Sequence, residues 1–396
     1  MTEFQAQAAK PELLRLIGGF ICVHACMAGV RMTSPLLALQ LGYSEAAVGF
    51  MLALFALTQV FLSLPAGRYV DKHGLKRPVA MAAVAASVGT VLAFNYKLMP
   101  AFATLCIAAL LTGCGAGMAA ISFQRHVGRM ARTPTELKKV FSWLALGPAI
   151  SNFLGPFSAG LVIDHFGFQA AFGMLAVLPL VGWFCIRGTA ALPKIEASSD
   201  LETGAKPRAW DLFADPMFRR LLLVNWFLSS SWDVHTIVIP ILGHDKGLSA
   251  SVIGMILGGF AVAAAVVRVL LPLLAAYIKE WAVITIAMAL TAVLFGIYPF
   301  LESAWAMGLC SVLLGFVLGS VQPMVMSTLH QITPQHRHGE AIGLRLMTIN
   351  ASSVLMPILF GSAGAVIGIA GVFWVIGGVV AIGTRSAWQL RVGKKP

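Results

Sequence analysis

Long runs free of charge constrain this chain more than any motif in it. Residues 46–67, 78–96, 98–124, 140–163 and 166–186 contain no Asp, Glu, Lys or Arg, and the same holds for 247–267, 281–301, 303–329 and 346–384. About 20 consecutive apolar residues cross a hydrocarbon core as a helix, which keeps every backbone hydrogen bond inside the segment. The run 346–384 is long enough for two such helices, and the glycines of GSAGAVIGIAG supply the turn between them. Two further stretches, 14–38 and 218–243, qualify once Arg31 and Asp233 are accepted inside the membrane. The expectation is an all-α membrane protein with twelve transmembrane helices. Composition agrees, since 58% of residues are hydrophobic and only 11% charged, against roughly 25% charged in a soluble domain.

The formal charge of +12 raises nucleic acid as a partner, but the placement of Lys and Arg argues against it. With twelve spans the basic residues gather on one side, leaving Lys97 and Lys246 on the other and Arg31, Arg268 and Arg345 within spans. That bias is the positive-inside pattern, and it puts both termini in the cytoplasm. Lys10 and Arg15 precede an apolar run that continues into a full span with no small-residue cleavage site, so the start reads as a retained first helix. All six cysteines fall within spans, which supports neither a disulfide framework nor a zinc site. Cys22 and Cys26 share a helix face as packing residues, and no metal site is expected.

The longest polar stretch, residues 187–220, is rich in charge, Pro and Ser and reads as a cytoplasmic linker. It divides the chain into an N-terminal six-helix bundle, 1–187, a linker, 188–217, and a C-terminal six-helix bundle, 218–396. The two halves carry a weak internal repeat. Sliding one onto the other places Pro35 on Pro240, Gly42 on Gly247, Ser44 on Ser249 and Gly49 on Gly254. Further along, Thr133-Pro134 meets Thr333-Pro334, Gly113 and Gly117 meet Gly315 and Gly319, and Pro156 meets Pro357. Matches in order at Pro and Gly are more than a shared apolar composition produces.

Between the second and third spans, on the cytoplasmic side, the sequence reads GRYVDKHGLKRP, with Gly67, Asp71, Gly74, Lys76 and Arg77 in a fixed spacing. The glycines permit a tight turn and close helix contact, while Asp71 can face the positive N-terminal end of a helix. This loop resembles the signature of the major facilitator superfamily, and the twelve spans, linker and repeat extend the resemblance over the whole chain. The resemblance implies that the helix facing Asp71 is the eleventh, beginning near Gly339, and that the segment latches a cytoplasmic gate. Leu75 departs from the pattern, because a base is common directly after the second glycine, which leaves Lys76 and Arg77 to carry that role. The repeat of this loop, PLLAAYIKEW, has lost the motif. A second stretch, GPAISNFLGPFSAG in the fifth span, resembles the antiporter signature of the superfamily's drug–proton exchangers. Gly147, Gly155, Pro156 and Gly160 stand in fitting places, and Asn152 and Ser158 depart from it. The same residues also suit plain helix packing. Downstream, Asp164 and Gly167 in GLVIDHFGFQAAF match a further family pattern.

Ionisable groups inside a membrane are costly and tend to line pathways or pair. Among the acids only Asp233, in SSSWDVHTIVIP of the seventh span, lies deep in a run, which makes it the first candidate for carrying a proton. His235, two positions on, points to another side of the helix. His24 sits mid-span in the first helix, and a membrane histidine serves packing as readily as proton transfer. Trp232 and the preceding serines offer a stacking face and hydroxyls to a ligand. Gln59, Gln124, Asn152, Gln322 and Asn350 are polar positions suited to the interior, and Arg268 and Arg345 are expected to snorkel to the interface. Arg31 and Asp233 fall at similar depth in repeat-equivalent helices and are expected to pair when the outer side is closed.

No nucleotide-binding P-loop occurs, so ATP is not the energy source; neither His-Glu-x-x-His nor a serine elbow occurs, so the chain is not read as an enzyme, and no cofactor is expected. The resemblance implies a monomeric secondary transporter of the cytoplasmic (inner) membrane working by alternating access, with a small molecule, protons and the lipid bilayer as partners. Proton-coupled export of a small amphiphilic compound is the preferred reading. Proton-coupled uptake of a small organic anion is the alternative, and a membrane receptor or enzyme the remote one.

Overall fold

The computed structural model describes residues 3–189, 192, 209–248 and 250–392. Most of the expected linker, 190–191 and 193–208, lies outside the described residues.

Every regular element among the described residues is helical. They are α1 (Glu3–Gln40), α2 (Glu45–His73), α3 (Lys76–Phe94), α4 (Ala101–Met130), α5 (Pro134–Leu144) and α6 (Leu146–Arg187). After a short 3-10 turn follow α7 (Pro216–Asp245), α8 (Ala250–Leu274), α9 (Glu280–Ile297), α10 (Ala304–Ile332) and α11 (His338–Trp388). Two of these are pairs of helices joined at a glycine: α6 breaks at Gly167 (φ 79°, ψ 175°) and α11 at Gly368 (φ 72°, ψ 170°). Counting α5 with the first arm of α6 as one span, and each arm of α11 separately, gives the twelve spans expected from the charge-free runs. Nine helical stretches among the described residues are long and apolar enough to cross a membrane, and one of them, Pro134–Arg187, has the length of two.

Local chemistry sets the helix ends. Ser44 accepts from the Ala47 amide (3.3 Å), Thr133 from Glu136 (3.2 Å) and Ser303 from Ala306 (3.2 Å), each satisfying a first-turn N–H. Pro134 opens α5 where its missing N–H costs nothing. The fifth span is interrupted at Ala145 because Pro148, one turn on, cannot donate to the Leu144 carbonyl. Gly42 and Gly247 take left-handed φ of 83° and 72° just after α1 and α7. With Gly167 and Gly368, these form two pairs at corresponding places of the repeat, so the internal similarity is written in backbone dihedrals as well as in letters.

Two compact units result: Met1–Met130 with Leu146–Ala209 and Gln335–Asn350, and Ala131–Ala145 with Trp210–Pro334 and Ala351–Pro396. In the first, α1 packs along α6 through small residues. A Cβ on Gly29 would run into the Leu175 side chain and one on Gly19 into Ile186, and Gly155 faces the Ala25 carbonyl and the Gly29 amide. In the second, Gly315 and Gly319 of α10 let α8 approach at Phe260 and Ala264. Close backbone approach at small residues is how helices associate where lipid removes the hydrophobic drive.

Candidate functional site

In the first unit the charged residues converge where α2 ends. Asp71 Oδ1 accepts from Arg125 Nε (2.5 Å) and from the Gly339 amide (2.9 Å), and Oδ2 accepts from the Glu340 amide (3.0 Å). The carboxylate therefore caps the first turn of α11, where unpaired amides and the helix dipole both favour a negative charge. The Asp71 and Arg125 side chains are only 11% and 6% exposed, so each needs the other. Glu340, in that same first turn, accepts from Arg68 Nε (2.9 Å) and Arg337 Nε (2.9 Å). Gly67 makes the approach possible: a Cβ there would overlap the Gly339 carbonyl, and one on Gly343 would strike the Ser63 carbonyl at 2.5 Å. Ser63 and Gly67 on α2 thus meet Gly339 and Gly343 on α11, small residues four apart on both helices. Gly74 ends α2 with φ 74°, and Leu75 is buried. Lys76 and Arg77 have no ion-pair partner among the described residues.

The antiporter-like stretch lies in the first arm of α6 and presents one small-residue face to α1. Gly147 abuts Phe20 (2.8 Å to an added Cβ), Ser151 donates to the Ile21 carbonyl (3.1 Å), and Gly155 meets Gly29. Pro156 is half-buried, Gly160 lies near Met32, and Asn152 is exposed on another side of the helix. Helix packing accounts for the residues on that face.

On α1, Arg31 is exposed, while His24 leaves Nδ1 without a hydrogen bond and packs edge-on to Phe20. Gln59 of α2 packs over Gly117. Gln124 keeps a buried oxygen without a partner, and Asn350 donates to its own helix at Leu346 (2.8 Å).

In the second unit Asp233 is half-buried on α7 and accepts from Ser353 Oγ of α11 (3.1 Å); one turn away Ser230 and Ser352 share a hydrogen bond of 2.8 Å. His235 is fully buried and belongs to a different cluster: Nε2 contacts Ser311 Oγ (2.9 Å), which also meets Tyr298 Oη (2.8 Å), and the imidazole stacks on Phe260 at 4.2 Å. Asp233 and His235 thus diverge, as their spacing implies. Trp232 stands edge-on to Phe260 (4.6 Å), and Gln322 is half-buried. Arg268 and Arg345 do not snorkel. They are 7% and 3% exposed, and Arg268 donates to the Gly319 (3.3 Å) and Ala145 (3.1 Å) carbonyls. The Gly319 carbonyl of α10 and the Ala145 carbonyl at the proline-broken fifth span hold the Arg268 guanidinium inside the second unit.

Reasoning from sequence missed Arg125, Arg68, Glu340 and the pair Lys138–Glu280. Arg125 directly follows a charge-free run, and that position was the one available signal. Among the described residues no group of three or more His, Cys, Asp and Glu side chains could hold a metal.

Apolar spans of this number, with a carboxylate capping the eleventh helix, define a multi-pass membrane protein. The Major Facilitator Superfamily model matches residues 16–232 and 221–391, and the chain belongs to that superfamily. It is 25% identical over 338 residues to Multidrug resistance protein 1 of Bacillus subtilis (strain 168), covering 83% of each chain. It is 24% identical over 251 residues to Multidrug resistance protein MdtG of Salmonella typhimurium, spanning 62% of each chain. Its fold is that of a bacterial homologue of the iron transporter ferroportin crystallised in an outward-facing state (TM-score 0.79, 15% identity, 96% of this chain and 99% of that one). The transporter FucP in its outward conformation is also similar (TM-score 0.77, 14% identity, 96% and 98%).

Proposed function

We propose that this secondary transporter exports small amphiphilic organic compounds across the cytoplasmic membrane in exchange for protons. The observation that carries the coupling is Asp233, a half-buried carboxylate within an apolar helix, bonded to the neutral hydroxyl of Ser353. A carboxylate within an apolar span is costly in its charged form, and taking up a proton releases that charge from the low-dielectric interior. The multidrug-resistance names of two relatives support the substrate class. In this reading the chain is a monomer with both termini in the cytoplasm and two six-helix halves, 1–187 and 218–396, rocking about a midplane site. Asp71 and its partners latch the cytoplasmic side.

The test uses inside-out vesicles with an inward proton gradient and cationic, neutral and anionic fluorescent amphiphiles. An exporter accumulates at least one of them and loses that accumulation when the gradient is collapsed. Asp233→Asn is expected to abolish uphill transport while leaving downhill exchange. Uphill transport by Asp233→Asn with an unchanged pH profile would remove Asp233 from the coupling.

A further inference from the structure

We propose that Arg268 and Trp232 form a binding site for the carboxylate of a monoanionic compound with a flat apolar body. The inference rests on the reading of the chain as a transporter of small organic compounds, and it names the charge and shape of the compound.

Arg268 is a cation sealed in protein on most sides, being 7% exposed on α8. Burying a guanidinium is costly unless an anion or a full set of acceptors compensates it. Here the acceptors are two neutral carbonyls, Gly319 for Nε and Ala145 for Nη1. No carboxylate lies within ion-pair distance of Arg268 among the described residues. A guanidinium carries five N–H donors in a planar fork, and the two bonds leave Nη2 without a protein acceptor. Nη2 is not among the fully buried atoms lacking a partner, so that edge of the fork is not completely sealed by the described residues.

An aromatic wall stands against the guanidinium. The Arg268 guanidinium carbon lies 5.8 Å from the centre of the Trp232 ring, and Trp232 packs edge-on against Phe260 at 4.6 Å. The two carbonyl bonds and the indole fix the guanidinium in place, so a ligand meets it pre-organised. A planar carboxylate matches the fork in two parallel hydrogen bonds. One buried cation compensates one negative charge, which selects a monoanion over a phosphate-like dianion that would bring a second charge into the same dry site. The Trp232 and Phe260 rings beside the guanidinium make the surroundings aromatic, which suits a flat apolar body.

The test measures binding of 2-naphthoate and of its neutral counterpart, 2-naphthamide, to the purified full-length protein by titration calorimetry. Wild type is expected to bind naphthoate at least tenfold more tightly than naphthamide. Arg268→Gln should erase that preference by weakening naphthoate about tenfold or more while leaving naphthamide unchanged; a purely structural role would weaken both alike. Arg268→Lys keeps the charge without the fork and should fall between. If Arg268→Gln does not fold, Trp232→Leu, which spares both carbonyl bonds, should weaken naphthoate several-fold with the melting temperature retained. Equal affinity of wild type for the two compounds, or naphthoate binding unchanged in the Arg268 or Trp232 variants, would overturn the proposal. Vesicle transport separates the two readings: accumulation of an anionic, carboxylate-bearing amphiphile that survives Arg268→Gln sinks this site alone, whereas naphthoate binding without any transport leaves the site and sinks the exporter.

Discussion

The corner between α2 and α3 and the corner between α8 and α9 occupy corresponding places in the repeat, and they hold an incoming helix by opposite chemistry. At the first, an acid on the corner receives the N-terminus of α11: Asp71 binds the Gly339 and Glu340 amides, with Arg125 behind it at 2.5 Å. At the second, a base on the incoming helix reaches the corner: Lys138 of α5 donates to the Ile278 carbonyl (2.7 Å) and stands 3.9 Å from Glu280. Glu280 is held in turn by Ser327 (2.9 Å) and Gln331 (2.8 Å) of α10. Gly74 turns the first corner at φ 74°, while Lys279, its counterpart, is extended at φ −102°. The second corner therefore lost its motif without losing its contact, because a lysine opposite an acid and a carbonyl can replace a carboxylate opposite two amides. The difference is in strength. Asp71 makes three charge-assisted bonds in a buried site, whereas the Lys138–Glu280 separation is long and Glu280 has neutral partners of its own.

That asymmetry orders the expected effects. Asp71→Asn should be the most damaging, since the amide turns a donor toward the Gly339 or Glu340 N–H and strands Arg125. A loss of about 3 kcal/mol is expected, seen as a lowered melting temperature in detergent, with transport cut at least tenfold while membrane insertion persists. Wild-type transport in that variant would place the two corners on an equal footing. Gly67→Ala should follow, because the added Cβ overlaps the Gly339 carbonyl and backbone atoms cannot move aside as a side-chain tip can. About 1–3 kcal/mol is expected, and combining it with Asp71→Asn should cost less than the sum, since both act on one crossing. Lys138→Met should cost about 1 kcal/mol, read by the same thermal melt. A larger cost than Asp71→Asn would reverse the ranking of the corners. Arg68→Gln should be smallest: its side chain is 50% exposed opposite Glu340, which limits the effect to about 0.5 kcal/mol, diminishing in high salt.

Much of this was legible in advance where chemistry is local. The spans followed from charge-free runs, since a membrane helix satisfies its own backbone, and the break of α11 fell within GSAGAVIGIAG at Gly368. Asp71 was marked by its spacing from Gly67 and Gly74. The pairing of Asp71 with Arg125 was not legible, because it depends on how closely α2 and α4 approach. Gly113 sets that approach, an added Cβ there lying 2.6 Å from the Phe55 carbonyl, and nothing in either segment names the other. For the same reason the sequence did not show that Arg68 and Arg125 would pair with Glu340 and Asp71, while Lys76 and Arg77, within the motif, make no ion pair among the described residues.

Arg268 shows the division most plainly. Its place near the end of an apolar run suggested a side chain reaching for water, the cheapest course for one helix alone. Whether an arginine snorkels or turns inward is decided by what the neighbours offer. Here they offer the Gly319 carbonyl, the Ala145 carbonyl at the break made by Pro148, and the face of Trp232. The sequence by itself determined the solvent, the spans and the glycine breaks, because each depends on segment composition or on one residue's backbone freedom. Only tertiary structure decided which buried charges meet, since ion pairing in a low-dielectric interior depends on distances of a few ångströms between segments far apart in the chain.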